Sequence, residues 1–178
     1  MPYTVQQKTA TSVAVFCCTQ ENPGVHLSHM ELKDITKEAV IISENGTFAE
    51  ALDMMLNNHT NTLLVSGEDG ILVGEVSVSD LFEGMIPITE DGDAAMAHFA
   101  DEMHFKEALH NAKETPVFEF MSSDFHAITP DDDLVAVAAI AVGHGRARMP
   151  IVDHENRPIG MVSRQGLKQI LGKYMHQR

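Results

Sequence analysis

GEVSVSDL (Gly74–Leu81) returns 86 residues later as GMVSRQGL (Gly160–Leu167). Gly, Val, Ser and Leu keep their places, whereas Asp80 has become Gly166. Placing residue n over n+86 aligns 32–84 with 118–170 without a gap. Five columns are then identical: Ile42/Ile128, Gly74/Gly160, Val76/Val162, Ser77/Ser163 and Leu81/Leu167. Four of the five fall inside the octet, and residue class matches through much of the remainder. The chain reads as a duplication.

Working outward from the octet, both copies follow one plan. They open with LKDIT (32–36) and FEFMS (118–122), then carry the apolar runs AVIIS (39–43) and FHAIT (125–129), expected as strands. Thr47 with Glu50 three positions on predicts a capping box, and Asp133 is the matching cap ahead of LVAVAAIAV (134–142). Phe48, Ala51, Leu52 and Met55 have the spacing of one buried helix face. The polar turns NNHTN (57–61) and GHGRA (143–147) lead into strands TLLVS (62–66) and RMPIV (148–152). GEDG (67–70) and DHENRP (153–158) are hairpin tips. They are followed by the strands ILVGEVS (71–77) and RPIGMVS (157–163), with closing helices from about Ser79 and Gln165.

The expected fold is therefore α/β (α+β): two β-α-β-β-α repeats packed sheet to sheet with pseudo-twofold symmetry. A unit of about 50 residues buries too little apolar surface to be comfortable alone. The expected divisions are an N-terminal extension (1–30), repeat 1 (31–84), a helical linker (85–116), repeat 2 (117–172) and a C-terminal tail (173–178). Within the linker a helix is predicted over 93–111, with Met96, Phe99 and Met103 on one stripe and Phe105 and Leu109 as an offset pair. It either covers the pair's own core, the favoured reading, or offers a self-association surface.

Composition narrows the function. With 44% apolar and 21% charged residues, the 178-residue chain is expected to be a soluble globular protein. A formal charge of −14 argues against broad binding to nucleic acid or anionic lipid. Cys17 and Cys18 are adjacent and give no disulfide framework. The apolar run 13–18 is far below membrane-spanning length, so a cytoplasmic location without membrane insertion is expected.

The duplicated pattern resembles the cystathionine-beta-synthase (CBS) domain family, whose tandem repeats form a Bateman module. GEVSVSD (74–80) is similar to the family's G-h-h-[ST]-x-x-D signature; RMPIVD (148–153) and GMVS (160–163) are similar to its other strand motifs. The resemblance implies ligand clefts between repeats that hold AMP, ADP, ATP or S-adenosylmethionine as regulatory ligands, with no required cofactor. It also implies homodimerisation and control of an effector protein, here unknown.

Carried onto this chain, the resemblance places a ligand site at Ser77, Ser79 and Asp80, completed by Ile128, Thr129, Arg146, Ala147 and Arg148. A carboxylate at a helix start suits a ribose diol, hydroxyl and N–H groups suit a phosphate, and arginine neutralises it. The plain reading of Asp80 is a helix cap. A second, weaker site would use Ile42, Ser43, Thr60, Asn61 and Ser163. It lacks a ribose anchor at Gly166, and Gly166→Ala is expected to leave the first pocket untouched.

Ten histidines raise a metal reading, but no HExxH, CxxC or calcium loop accompanies them. His26, His29 and Cys17 would need to be gathered from separate chains. No phosphate loop, nucleophile elbow or dinucleotide fingerprint is present, so no catalysis is expected. The expectation is a stand-alone sensor binding an adenine nucleotide or related adenosyl ligand. The alternatives are a dimerisation or partner-docking module with vestigial pockets and, less favoured, a metal-binding regulator.

Overall fold

The structure, a computed structural model, describes residues 30–85, 102–146 and 148–176. All but Met30 of the expected N-terminal extension, and Met96 and Phe99 of the linker, lie outside these residues. Repeat 1 comprises β1 (Thr36–Lys37), β2 (Ile41–Ser43), α1 (Phe48–Asn57), β3 (Thr62–Ser66), β4 (Leu72–Ser77) and α2 (Val78–Gly84). The described linker helix is α3 (Glu102–Ala112). Repeat 2 contributes α4 (Leu134–Gly143), β5 (Arg148–Val152), β6 (Pro158–Ser163) and α5 (Arg164–His176).

Local chemistry sets the helix starts. Thr47 N–H donates to Glu50 Oε2 at 2.8 Å, and Glu50 N–H donates back to Thr47 Oγ1 at 3.2 Å. Asp133 Oδ1 accepts from the N–H groups of Val135 and Ala136 at 2.8 and 3.3 Å. Each cap contributes about 1 kcal/mol. The expected strand over 125–129 is reduced to one bridge, Ile128 to Ile151. Thr129 N–H turns instead to the Asp132 carboxylate at 2.6 Å. The strand expected over 39–43 likewise begins only at Ile41.

The two sheets run β2-β3-β4 and β1-β6-β5. Thus β1, which opens repeat 1, pairs with β6 of repeat 2. Reciprocally, Ser122, which opens repeat 2, exchanges two 2.9 Å backbone hydrogen bonds with Glu75 in β4. This exchange explains the glycine common to both octets. A Cβ on Gly74 would stand 2.9 Å from Ser122 O, and one on Gly160 would stand 2.7 Å from Thr36 Cγ2.

The exchange is not quite symmetric. Thr36 lies opposite Val162, whereas its counterpart Ser122 lies opposite Glu75 rather than Val76. The crossing segment on the first sheet is therefore displaced by one residue, about 3.4 Å, away from the closing helix.

Three apolar clusters result. One lies under the helices of repeat 1 (Phe48, Leu63, Val65, Val76, Leu81), and one under those of repeat 2 (Val137, Met149, Ile151, Val162, Ile170). The third joins the sheets through Leu64, Leu72, Val152 and Met161. Sheet-to-sheet packing is thus as expected. In α3, Ala108 and Ala112 are buried and Phe105 and Leu109 pack on the first cluster, so this helix covers the pair's own core. The chain after it is stitched to α1, with Phe48 N–H donating to Thr115 O at 2.9 Å.

Candidate functional site

Strand alternation decides which side chains face the other repeat. In β3, Leu63 and Val65 point to the first core, leaving Thr62 and Leu64 toward the sheet interface. Opposite them in β4 stand Ser77 (facing Thr62) and Glu75 (facing Leu64). The equivalent row in repeat 2 pairs Arg148 with Ser163 and Pro150 with Met161. The inter-repeat surfaces beside these two rows, the first and the second cleft, differ in chemistry.

The first cleft lies at the end of β4. Ser77 N–H and Ser77 Oγ–H both donate to Asp80 Oδ2 at 2.6 Å, so Ser77 is the N-cap of α2 and Asp80 closes the capping box through one oxygen. Oδ1 has no partner among the described residues. Ser79 is exposed. From the other repeat, Arg146 pairs through Nη2 with Asp124 Oδ1 at 2.5 Å. Glu75 lies within electrostatic reach of these groups. Burial pushes its carboxyl above the usual range, the Arg146 and Arg148 guanidinium groups pull it down, and Asp80 and Asp124 push it up. Ser77, Asp80, Arg146 and Arg148 thus come to one neighbourhood; Ala147 lies outside the described residues.

Ile128 and Thr129 do not join them. Ile128 is buried in the second core, and the Thr129 hydroxyl donates to Asp132 at 3.2 Å. In their stead the strand-entry segment brings Asp124, the partner of Arg146. Phe125 packs on the inter-sheet cluster, and His126 stacks on His144 with ring centroids 4.2 Å apart.

The second cleft contains a cavity of about 190 Å³ lined by Thr60, Asn61, Thr62, Arg148 and Ser163, with Ala39 and Val40 along one wall. Arg148, assigned from sequence to the first site, reaches this one. Ile42 and Ser43 do not: Ile42 is buried in the first core, and Ser43 is exposed, its Oγ accepting from Asn45 N–H at 3.2 Å. On both sides the residues beside the cleft lie about three positions before those expected from sequence.

Glu75 was missed as well. Its signal is an acid at an inward position of an apolar strand, replaced by Met161 in the other copy. Four buried side-chain atoms have no hydrogen-bond partner among the described residues: Thr62 Oγ1, Glu75 Oε2, Arg146 Nε and Ser163 Oγ. All four lie along these two rows and the turn that enters β5.

A larger, mostly apolar cavity of about 490 Å³ lies elsewhere, on the helical face of repeat 1 between α1, α2 and α3. It is lined by Leu52, Leu56, Phe82, Phe105 and Leu109 and holds none of the cleft's charged groups. Among the described residues, no three His, Cys, Asp or Glu side chains converge as for a metal. His26, His29 and Cys17 lie outside them. No helix among the described residues is long and apolar enough to cross a membrane.

Comparison with known proteins places this architecture. An uncharacterized protein of Methanocaldococcus jannaschii is 28% identical over 153 residues, covering 80% of this chain and 91% of that one. A homoserine O-acetyltransferase of Methanosphaerula palustris is 26% identical over 148 residues, 83% of this chain but only 25% of the enzyme. Among solved structures, the CBS domain of a CBS domain-containing membrane protein from Sphaerobacter thermophilus superposes with a TM-score of 0.65 at 22% identity, over 80% of this chain and 88% of that one. The Arabidopsis thaliana CBS-pair protein CBSX2 in complex with AMP gives 0.60 at 15% identity, over 83% of this chain and all of that one. The CBS domain pair of protein MJ0100, in complex with 5′-methylthioadenosine and S-adenosyl-L-methionine, gives 0.57 at 22% identity, over 80% and 100%. The CBS domain profile matches residues 32–87 and again 117–173, and the chain belongs to the CBS-domain family as a tandem pair.

Proposed function

We propose that this protein is a regulatory module that binds an adenosyl compound, an adenine nucleotide or S-adenosylmethionine, in the cleft between Asp80 and Arg146. One observation carries the reading. Buried polar atoms are almost always partnered in folded proteins, yet the four orphans here concentrate on the two inter-repeat clefts. A carboxylate with one spare oxygen (Asp80) and a guanidinium (Arg146) suit a ribose diol and a phosphate or carboxylate, respectively. Structural neighbours captured with AMP and with S-adenosyl-L-methionine support the ligand class.

The module is regulatory rather than catalytic in this reading, in keeping with its CBS-domain pair. It acts as a homodimer on an effector protein. Half-exposed Val78, Phe82 and Leu56 around the apolar cavity of repeat 1 support an association surface.

A docking module with vestigial pockets is the rival reading. It is favoured by one fact: Arg146 and Asp80 already have internal partners, Asp124 and Ser77. Titration calorimetry with AMP, ATP and S-adenosylmethionine separates the two. Binding to the native protein that weakens in Asp80→Ala upholds the sensor reading. No heat with any of the three in the millimolar range gives the rival.

A further inference from the structure

Beyond the octets, the helices that cover the two cores have diverged as a set. On α1 the residues turned away from the first core include Glu50, Asp53 and Leu56, all exposed. Their counterparts on α4, 86 positions on, are Ala136, Ala139 and Val142. Thus α4 carries no charged side chain, yet its Val135 is 62% and its Val142 84% exposed. On α2 the exposed apolar residues are Val78 and Phe82, and their counterparts on α5 are Arg164 and Lys168, both exposed. No acid occurs in α5, where Arg164, Lys168, Leu171 and Met175 share one exposed stripe.

Each repeat therefore shows one charged and one apolar helix, in opposite order and with opposite sign. Repeat 1 is acidic on α1 and apolar on α2; repeat 2 is apolar on α4 and basic on α5. We propose that two copies of this chain dock head to tail, repeat 1 of each on repeat 2 of the other, about one twofold axis. With α5 laid on α1 and α4 on α2, Arg164 and Lys168 meet Glu50 and Asp53, while Val135 and Val142 meet Val78 and Phe82. The second copy's α4 then covers the apolar cavity of about 490 Å³, which Leu56, Val78 and Phe82 line.

Pairing like with like fails on the same residues. It sets acid on acid and base on base, or else lays Glu50 and Asp53 on Phe82 and lays Arg164 and Lys168 on Val142. Juxtaposed like charges and charges desolvated without a partner both oppose association. The acids of repeat 2 nearest this face precede α4 and are engaged there, Asp133 as its cap and Asp132 by Thr129 N–H. On α1, Glu50 accepts from Thr47 N–H, which leaves Asp53 as the principal acid. The inference rests on the homodimer proposed above, to which it adds an orientation, and does not depend on the adenosyl cleft.

Sedimentation of the full chain at micromolar concentration should show a dimer. Arg164→Glu with Lys168→Glu should weaken it roughly tenfold or more, because both contacts about the twofold change at once. Adding Asp53→Lys to the same chain should recover roughly threefold of that loss or more. Like-with-like pairing predicts instead that the first variant, exchanging one repulsion for another, leaves the affinity within about twofold. These side chains are exposed, so the fold is expected to hold, and a melt checks it.

Cross-linking reads the orientation directly. In a Cys17→Ser, Cys18→Ser background, Phe82→Cys chains mixed with Val142→Cys chains should join through a short bismaleimide, and neither chain should join to itself. A dimer that gives only Phe82→Cys or Val142→Cys self-products overturns the orientation and leaves the homodimer standing. A chain that stays monomeric overturns both. If that monomer sediments with phosphatidylglycerol vesicles, the basic face serves a membrane surface; if it does not, the face serves a foreign acidic partner. A head-to-tail dimer that binds no adenosyl compound overturns the sensor reading alone.

Discussion

The two clefts are built from one duplicated plan and have diverged in opposite directions. The first holds Glu75, Asp80, Asp124 and Arg146, and its donors and acceptors are partly spent on one another. The second has lost both carboxylates of the octet: Glu75 becomes Met161 and Asp80 becomes Gly166. What remains there is hydroxyls, an amide and the Arg148 guanidinium. A repeated fold therefore need not repeat its chemistry. A difference of one residue in the exchanged strand's register accompanies the divergence, since the segment beside α2 is set back where the one beside α5 is not.

The largest effect should come from restoring the lost carboxylate. Gly166 is buried, and a Cβ there would stand 2.9 Å from Ile35 O and 3.1 Å from Ile35 Cβ. Gly166→Asp adds overpacking to a charge held against a carbonyl oxygen. It should cost about 3 kcal/mol or more in a urea melt. Gly166→Ala, expected to leave the Asp80 pocket untouched, should itself cost roughly 1–3 kcal/mol of stability. The cost has a physical source, the backbone at Ile35, which no inspection of the octet discloses. If Gly166→Asp is as stable as the native chain, sterics do not explain why the copies differ.

Next comes the first cleft. Asp80→Ala should weaken an adenosyl ligand by roughly 30–150-fold, two charge-assisted hydrogen bonds in a partly wet site being worth about 2–3 kcal/mol. It should also lower stability by about 1 kcal/mol, because Asp80 accepts from Ser77 N–H and closes the capping box that starts α2. The two losses must be measured apart, by calorimetry and by denaturation. Unchanged affinity in a folded variant would remove Asp80 from the site.

The exchanged strands give a smaller, symmetric test. Gly160→Ala meets Thr36 Cγ2 at 2.7 Å, a threonine methyl able to yield a little, and should cost roughly 1–2 kcal/mol. Gly143→Ala, at the end of α4 with nothing within 4 Å, should be neutral or stabilising by up to about 1 kcal/mol. Equal melting temperatures for these two variants would contradict the strand exchange.

Much of the fold was legible because local rules carry it. Thr47 with Glu50, and Asp133, mark their helices; the hairpin tips and alternating strands follow turn chemistry and period. The duplication supplied the pairing of sheets. The strand exchange was not legible, since the two residues of β1 have no periodicity to read. Ser77 and Asp80 were expected together and do meet, because one motif holds both, whereas Ile128 and Thr129, carried over from the family resemblance, lie in the second core and at the Asp132 turn. Glu75 was overlooked because burial of an acid is a tertiary property. Its neighbours in sequence, Gly74 and Val76, say nothing of Arg146.

Glu75 supplies the smallest and most discriminating test. Its carboxyl is pushed above the usual range chiefly by burial, against the pull of Arg146 and Arg148. The native state therefore holds this proton more tightly than the unfolded chain does. Below the unfolded carboxylate range both states are protonated and the group is neutral to stability. As pH rises from there through the elevated native value, the unfolded chain releases its proton first, and stability falls. Above that window the full cost of ionising a buried acid is present. Glu75→Gln removes the titration while keeping shape, so the variant should gain stability relative to the native chain as pH rises across the window, and the gap should level off once pH has passed the raised native value. The contrast with repeat 2 is built in, because Met161 cannot titrate and Met161→Leu should shift the curve without changing its slope. Parallel pH–stability curves for native chain and Glu75→Gln would mean that Arg146 and Arg148 compensate the burial in full, and the first cleft would then be electrostatically balanced before any ligand arrives.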